Sequence, residues 1–162
     1  MLKSFRIITV FLLIAWMVLI FSLSSQNADK SSATSGGIIE MVVRIFNHDF
    51  DELTESQQKA IIEPFQFVVR KAAHFTAYAF LGILAFLSVV TYNKIPFTLR
   101  LGISAAICLL YSISDEIHQT FVPGRSGEIR DVCIDFCGSL LAVLIATLFV
   151  KKSKLKILKN II

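Results

Sequence analysis

Charged residues are scarce in this chain of 162 residues: Asp, Glu, Lys and Arg make up 17% of it, while hydrophobic residues make up 55%. A soluble domain of ordinary composition carries about 25% charged residues. A disordered chain has a much lower apolar content than this one. The composition therefore excludes both classes and indicates a protein whose solvent is a lipid bilayer.

Cysteine is also rare, with three in the whole chain. Cys108 lies inside an apolar run, and Cys133 and Cys137 are four residues apart, a spacing on successive helical turns that disfavours a disulfide. Two nearby thiols without a third or fourth ligand are too few for a zinc site. We therefore expect packing residues. The sequence predicts no cofactor and no definite metal site. Whether a divalent cation binds the adjacent carboxylates of Asp115 and Glu116 stays open, because neighbours in a helix point about 100° apart.

The sequence lacks the alternation of polar and apolar residues that marks half-buried strands. Its apolar runs are instead continuous and about 20 residues long, enough to cross a bilayer as helices. We predict an all-α, polytopic integral membrane protein with four spans. The predicted spans are 5–23, 65–91, 97–120 and 131–150. An alternative for the first is a cleaved signal peptide, because Lys3 and Arg6 precede its apolar core.

Acidic residues are absent from one set of connecting segments. If the N-terminus is cytoplasmic, the inner segments with the adjoining span ends hold nine Lys and Arg and no Asp or Glu, whereas all twelve acidic residues fall in the outer segments with their adjoining span ends, 24–71 and 114–135. The positive-inside rule then predicts that both termini are cytoplasmic, including a basic tail at 151–162. Positive charge in such short ends suits contact with anionic lipid headgroups. It does not indicate nucleic acid as a partner.

The long outer segment, 24–64, begins with the polar run SSQNADKSSATSGG, which predicts a linker. The following IIEMVVRIF places Glu40 and Arg44 four residues apart, as in a short helix at the membrane interface, although a loop packed on the bundle fits as well. Thr54 and Gln57 have the spacing of a capping box and predict a second short helix. We expect it to end near Glu63, before Pro64. The second outer connection is a loop at 121–130.

Polar residues interrupt the apolar pattern at the outer ends of three spans. Helical spacing places each group on one face, and unfavourable isolated charge predicts that the faces meet, with Arg70 and Lys71 opposite the aspartates. The candidate ligand-binding residues are Arg70, Lys71, His74, Tyr78, Asp115, Glu116, Gln119, Arg125, Arg130, Asp131 and Asp135. Candidate catalytic residues are His74, Asp115 and Asp131. The alternative is a salt-bridged plug that ties the helices together without any ligand.

Four segments together resemble the VanZ-like family: FSLSSQ (21–26), RKAAHFTAY (70–78), SDEIHQTFVPGR (114–125) and RDVCIDFCG (130–138). The family's functional pattern falls on Lys71, His74, Tyr78, Asp115, Glu116, Gln119, Arg125, Asp131, Asp135 and Gly138. Asp135 departs from the Asn found in many members, and the serine three residues before the Asp-Glu pair is Ser112. The resemblance extends over essentially the whole chain.

The resemblance implies a multi-pass protein of the bacterial plasma membrane, in a family associated with low-level teicoplanin resistance. The first functional hypothesis is an outward-facing pocket that binds a lipid-linked or acylated molecule through its cations. The second is a membrane enzyme acting on a lipid-linked envelope substrate, with His74 and Asp115 as acid-base groups and Arg125 as an electrostatic stabiliser. A small transporter or a structural partner of other membrane proteins is the third. The resemblance implies no oligomeric state.

Overall fold

A computed structural model describes residues 2–92 and 94–152. Its elements are α1 (Leu2–Ser24), α2 (Ala28–Phe46), a short 3₁₀ turn (His48–Glu52), α3 (Glu55–Val90), α4 (Phe97–Gln119) and α5 (Ile129–Lys152). Four of these helices, α1, α3, α4 and α5, are long and apolar enough to cross a membrane. No strand occurs within the described residues. The prediction of an all-α protein with four spans is therefore confirmed.

Helix α3 is the centre of the bundle, because α1, α2, α4 and α5 all pack against it. Trp16 Nε1 of α1 donates to the carbonyl oxygen of Ala77 on α3 at 2.9 Å. Tyr111 of α4 donates its hydroxyl to the carbonyl oxygen of Met17 at 2.6 Å. Cys108 is fully buried in this centre, as predicted for a packing residue, whereas the same prediction is wrong for Cys133 and Cys137, which are exposed on α5.

Helices α3 and α5 approach so closely that two glycines are required between them. A Cβ on Gly138 of α5 would collide with the backbone carbonyl of Phe75 on α3. A Cβ on Gly82 of α3 would collide in the same way with the backbone of Ser139. The prediction that Gly138 permits close helix approach is confirmed.

Two arginines stabilise the C-terminal end of α3. Arg6 of α1 donates to the carbonyl oxygen of Thr91, and Arg100 of α4 donates to that of Val90. Cations are favourable at this end of a helix, where the carbonyl groups lack intrahelical partners. These contacts fix α1, α3 and α4 together at the end of the bundle opposite the polar residues discussed below.

The prediction of a linker at the start of the outer segment is wrong, because α2 begins at Ala28. The Asn27 side chain caps this helix by accepting from the backbone N–H of Lys30 at 2.9 Å, as N-cap asparagines do. Ser35 and Gly36 are buried against α3. Tertiary packing thus overrides the low helix propensity of a Ser- and Gly-rich sequence.

The predicted break at Pro64 is also absent, since α3 runs unbroken from Glu55 to Val90. The capping box at its start is present, with Gln57 Oε1 accepting from the backbone N–H of Thr54 at 2.9 Å. Proline removes one helical hydrogen bond. The side chains of Ile62 and Gln66, on either side of Pro64, lie against Gly36 of α2, and such tertiary packing favours a continuous helix there.

Two other boundaries differ slightly from those predicted, because α4 ends at Gln119 and α5 begins at Ile129. Residues 153–162 of the predicted basic tail lie outside the described residues. The orientation with both termini in the cytoplasm therefore stays a prediction from the charge distribution.

Candidate functional site

The polar residues of the spans meet at one end of the bundle. Helices α1 and α4 end at this level and α5 begins there, whereas α3 extends beyond it into the outer segment. The part of α3 from Lys71 to Val90 rises roughly 30 Å, about the thickness of the hydrocarbon core. Lys71 and its neighbours consequently lie near one membrane surface, with the other polar groups just below it.

Asp115 is the most heavily hydrogen-bonded member of the cluster and is almost fully buried. Its Oδ2 accepts from Ser24 Oγ at 2.9 Å, from the Tyr78 hydroxyl at 3.1 Å and, at 3.4 Å, from Gln119 Nε2. Its Oδ1 is buried without a hydrogen-bond partner among the described residues. Ser24 belongs to α1, so this carboxylate connects three helices.

The loop between α4 and α5 is held by polar contacts from α4. Glu116 Oε1 accepts from the backbone N–H of Glu128 at 2.7 Å, which fixes the chain where α5 begins. Gly124 has φ 77°, a left-handed conformation that glycine adopts readily. The chain turns there, and Arg125 Nη1 donates to Gln119 Oε1 at 2.8 Å.

Lys71 forms an ion pair with Asp131 across α3 and α5. The expected meeting of α3 cations with α5 carboxylates therefore occurs for this pair. Arg70 behaves differently, because its Nη2 donates to the Ser32 hydroxyl of α2 at 2.8 Å and to no carboxylate of the described chain. The prediction that Arg70 lies opposite the aspartates is thus wrong.

His74 and Asp135 face each other one turn deeper, with 3.7 Å between Nδ1 and Oδ2. Asp135 is 1% exposed, and its Oδ1 is buried without a partner in the part of the chain that the structure describes. A distance of 3.7 Å is too long for a hydrogen bond. The pair is close but not directly bonded.

A cavity of about 160 Å³ opens beside this cluster, between α1, α2 and α3. Its polar wall includes Arg70, His74, Tyr78 and Arg125. Apolar side chains form much of the rest: Ile20, Leu23, Ile38, Val69, Ala73 and Ala77. Hydroxyl groups of Ser31, Thr34 and Ser35 on α2 also line it. These α2 residues were not predicted to line a cavity. The one sequence signal for helix α2 was its N-cap residue, because the Ser- and Gly-rich run that follows has low helix propensity.

Arg70 and Arg125 bring two positive charges to this cavity, and no carboxylate is within ion-pair distance of either among the described residues. Neither forms an ion pair within residues 2–92 and 94–152, and the Nε of each is buried without a partner among those residues. Burial, and then the neighbouring charge of Arg70, lower the pKa of the Arg125 guanidinium from its usual value, against the smaller opposing effect of nearby carboxylates. An anion between the two would relieve both effects.

Arg130 does not join the cluster. Its Nη2 bonds Glu128 Oε2 at 2.8 Å, with 59% of the Arg130 side chain exposed, and its guanidinium lies over the Phe67 ring at 5.2 Å. The structure thus brings together all the predicted site residues except this one, while the catalytic roles considered for His74, Asp115 and Asp131 stay predictions.

The chain matches the family described as VanZ/LLP1 over residues 9–150. The match includes three spans and most of the first, together with every residue of the polar cluster. No match is found among curated proteins or among solved structures.

Proposed function

The chain belongs to the VanZ/LLP1 family, and we propose that this membrane protein binds an anionic lipid-linked or acylated molecule in the cavity between α1, α2 and α3. The family association with teicoplanin makes an acylated glycopeptide one such molecule. A lipid-linked precursor of the bacterial cell envelope is another with the same chemistry, a long apolar chain attached to a negatively charged group.

The observation that supports this proposal is the presence in one cavity of two arginines, Arg70 and Arg125, whose Nε atoms are buried without a hydrogen-bond partner among the described residues. Each guanidinium donates one hydrogen bond to a neutral side-chain oxygen of the described residues, Arg70 to Ser32 and Arg125 to Gln119. Planar guanidinium groups bind carboxylate and phosphate oxygens through paired, charge-assisted hydrogen bonds. Because both guanidinium groups have further N–H donors, an anion is the favoured ligand of this cavity.

The apolar wall supports a ligand that also carries a hydrocarbon chain. Ile20 and Leu23 of α1 and Ile38 of α2 line the cavity, and all three helices that form it present apolar side chains on their outer surfaces. A chain leaving the cavity would therefore enter lipid rather than water. The anionic group would stay beside the arginines near the membrane surface.

With both termini in the cytoplasm, as the charge distribution predicts, the cavity faces the outer leaflet. Lipid-linked envelope precursors and externally added glycopeptides are both accessible from that side. The proposed location is therefore consistent with either ligand.

The test is growth inhibition of a susceptible Gram-positive host that expresses the chain, with Arg70→Gln and Arg125→Gln compared at matched membrane levels. We expect the wild type to protect against teicoplanin, which is acylated, more than against vancomycin, which is not. Both variants should lose this protection. Arg130→Gln, which removes an arginine outside the cavity, is the control and should protect fully.

Protection that survives both cavity substitutions would contradict the assignment of the site. Absence of protection by the correctly inserted wild type would exclude the glycopeptide and leave the lipid-linked precursor as the ligand to test.

A further inference from the structure

We propose that His74, Asp115 and Asp135 form a binding site for one divalent transition-metal ion, of the class of Zn²⁺ or Mn²⁺. One ligand atom from each residue lies within 4.8 Å of the other two. The three residues come from α3, α4 and α5, so the site exists only in the assembled bundle. It is independent of the anion proposed above, which the two arginines bind.

The first argument is electrostatic. Asp115 is 2% exposed and Asp135 is 1% exposed, and no lysine or arginine of the described residues forms an ion pair with either. Lys71 of α3 is already paired with Asp131. His74 Nδ1 lies 3.7 Å from Asp135 Oδ2 and is a counter-charge only when the imidazole is protonated, while Asp115 has no ion-pair partner among these residues. Two buried carboxylates with a neutral imidazole between them are strongly unfavourable. A divalent cation would neutralise both.

The second argument is the presence of unused ligand atoms. Asp115 Oδ2 accepts three hydrogen bonds, whereas its Oδ1 is buried and accepts none from the described residues. The Oδ1 of Asp135 is likewise buried and accepts no hydrogen bond from these residues. Buried acceptors without partners are rare unless an ion or water satisfies them.

The hydrogen bonds around Asp115 also resemble the support that metal ligands receive in proteins. Ser24, Tyr78 and Gln119 all contact the same oxygen, which holds the carboxylate in one orientation. Such outer contacts commonly position a ligand and tune its affinity for the metal. The other oxygen of Asp115, Oδ1, is then available to coordinate the metal ion.

The type of ion follows from the donor atoms. Zinc-bound imidazole and carboxylate donors lie about 2.0–2.2 Å from the metal, which places tetrahedral donors roughly 3.4 Å apart. Small side-chain rotations would close the present separation. A histidine ligand favours Zn²⁺ or Mn²⁺ over Mg²⁺ and Ca²⁺, which prefer sites made entirely of oxygen. Three protein ligands leave a coordination position for another molecule, and His74 also lines the cavity.

The experiment is metal binding by the full chain, purified in lipid nanodiscs and stripped with a chelator. ZnCl₂ and MnCl₂ are titrated separately, and bound metal is measured by mass spectrometry of the elements after removal of free ions. We expect one tightly bound ion per chain. Asp115→Asn and Asp135→Asn should each weaken binding more than about 100-fold, because even partners that only touch a ligand contribute about 10- to 100-fold.

Glu128→Gln is the control, since it removes a partly exposed carboxylate that pairs with Arg130 just before α5 and lies outside the three-residue group. It should retain one ion per chain. Binding that is unchanged in Asp115→Asn and Asp135→Asn would overturn the proposal, as would equal weakening by Glu128→Gln.

A measurement on the wild type alone decides the question if the variants do not fold. Diethyl pyrocarbonate modifies accessible imidazoles, and the chain has three histidines, His48, His74 and His118. Bound metal should protect His74 alone from modification, as read by peptide mass spectrometry. Absence of metal binding, or equal modification of His74 with and without metal, would overturn the site without affecting the test of the arginines.

Discussion

Replacement of Gly138 by alanine should separate α3 from α5 at the level of the polar cluster. The added Cβ would collide with the backbone carbonyl of Phe75, and a backbone atom cannot rotate away as a flexible side chain could. Phe75 is adjacent to His74, and Asp135 lies three residues before Gly138 on the same helix. The substitution therefore moves apart the two helices that carry His74 and Asp135.

The magnitude follows from two opposing contributions to the free energy of unfolding. Overpacking costs about 1–3 kcal/mol, and the rigid backbone contact places Gly138→Ala near the upper end. The higher helix propensity of alanine raises the free energy of unfolding by about 1 kcal/mol. The net loss is about 2 kcal/mol, which corresponds to an apparent melting temperature lower by about 4–8 °C for a chain of this size.

The assay is thermal unfolding in detergent, followed by intrinsic fluorescence, with Gly102→Ala as the matched control. Gly102 lies within the spanning helix α4, and a Cβ there meets nothing within 4 Å. Its substitution should therefore leave the melting temperature unchanged or raise it. Equal or higher stability of Gly138→Ala relative to Gly102→Ala would refute the reasoning.

Two further predictions concern the cluster itself. Lys71→Ala leaves the half-buried Asp131 without its cation and should lower stability by about 2 kcal/mol, whereas adding Asp131→Asn should restore most of the loss; thermal unfolding of both variants checks this. Gly124→Ala forces an L-residue into a backbone conformation with φ 77°, which lowers the free energy of unfolding by about 1–2 kcal/mol. The strained turn should displace the adjacent Arg125 and so weaken binding of an acylated anion, measured by the titration described below. Unchanged binding would show that the turn does not position this arginine.

The four spans were predictable because a membrane imposes one simple requirement, a long apolar helix. The contact between Lys71 and Asp131 was predictable for a related reason, since unpaired charge near lipid is unfavourable. Gly138 followed from its place on the same helix face as Asp135. Each of these predictions depends on local spacing or on a strong general penalty.

Other features depend on tertiary contacts that local sequence does not encode. Helix α2 forms from a Ser-rich run because it packs on α3, and its Ser32 replaces the aspartates as the partner of Arg70. The group of His74, Asp115 and Asp135 draws on three helices and matches no sequence motif, which is why the sequence left open whether a cation binds the carboxylates and did not indicate this set of ligands. Distance along the chain hides such a site until the helices are assembled.

Direct binding of an acylated anion tests the central claim, that Arg70 and Arg125 hold a negatively charged group beside an apolar wall. The measurement is titration of the chain in nanodiscs with a fluorescent polyprenyl phosphate and, separately, with labelled teicoplanin. At least one should bind, and Arg70→Gln and Arg125→Gln should each weaken it by about tenfold or more, since a hydrogen bond to a charged group contributes about 1.5–3 kcal/mol. Arg130→Gln should bind like the wild type. Equal affinity in all four proteins, or no binding of either probe, would contradict the account.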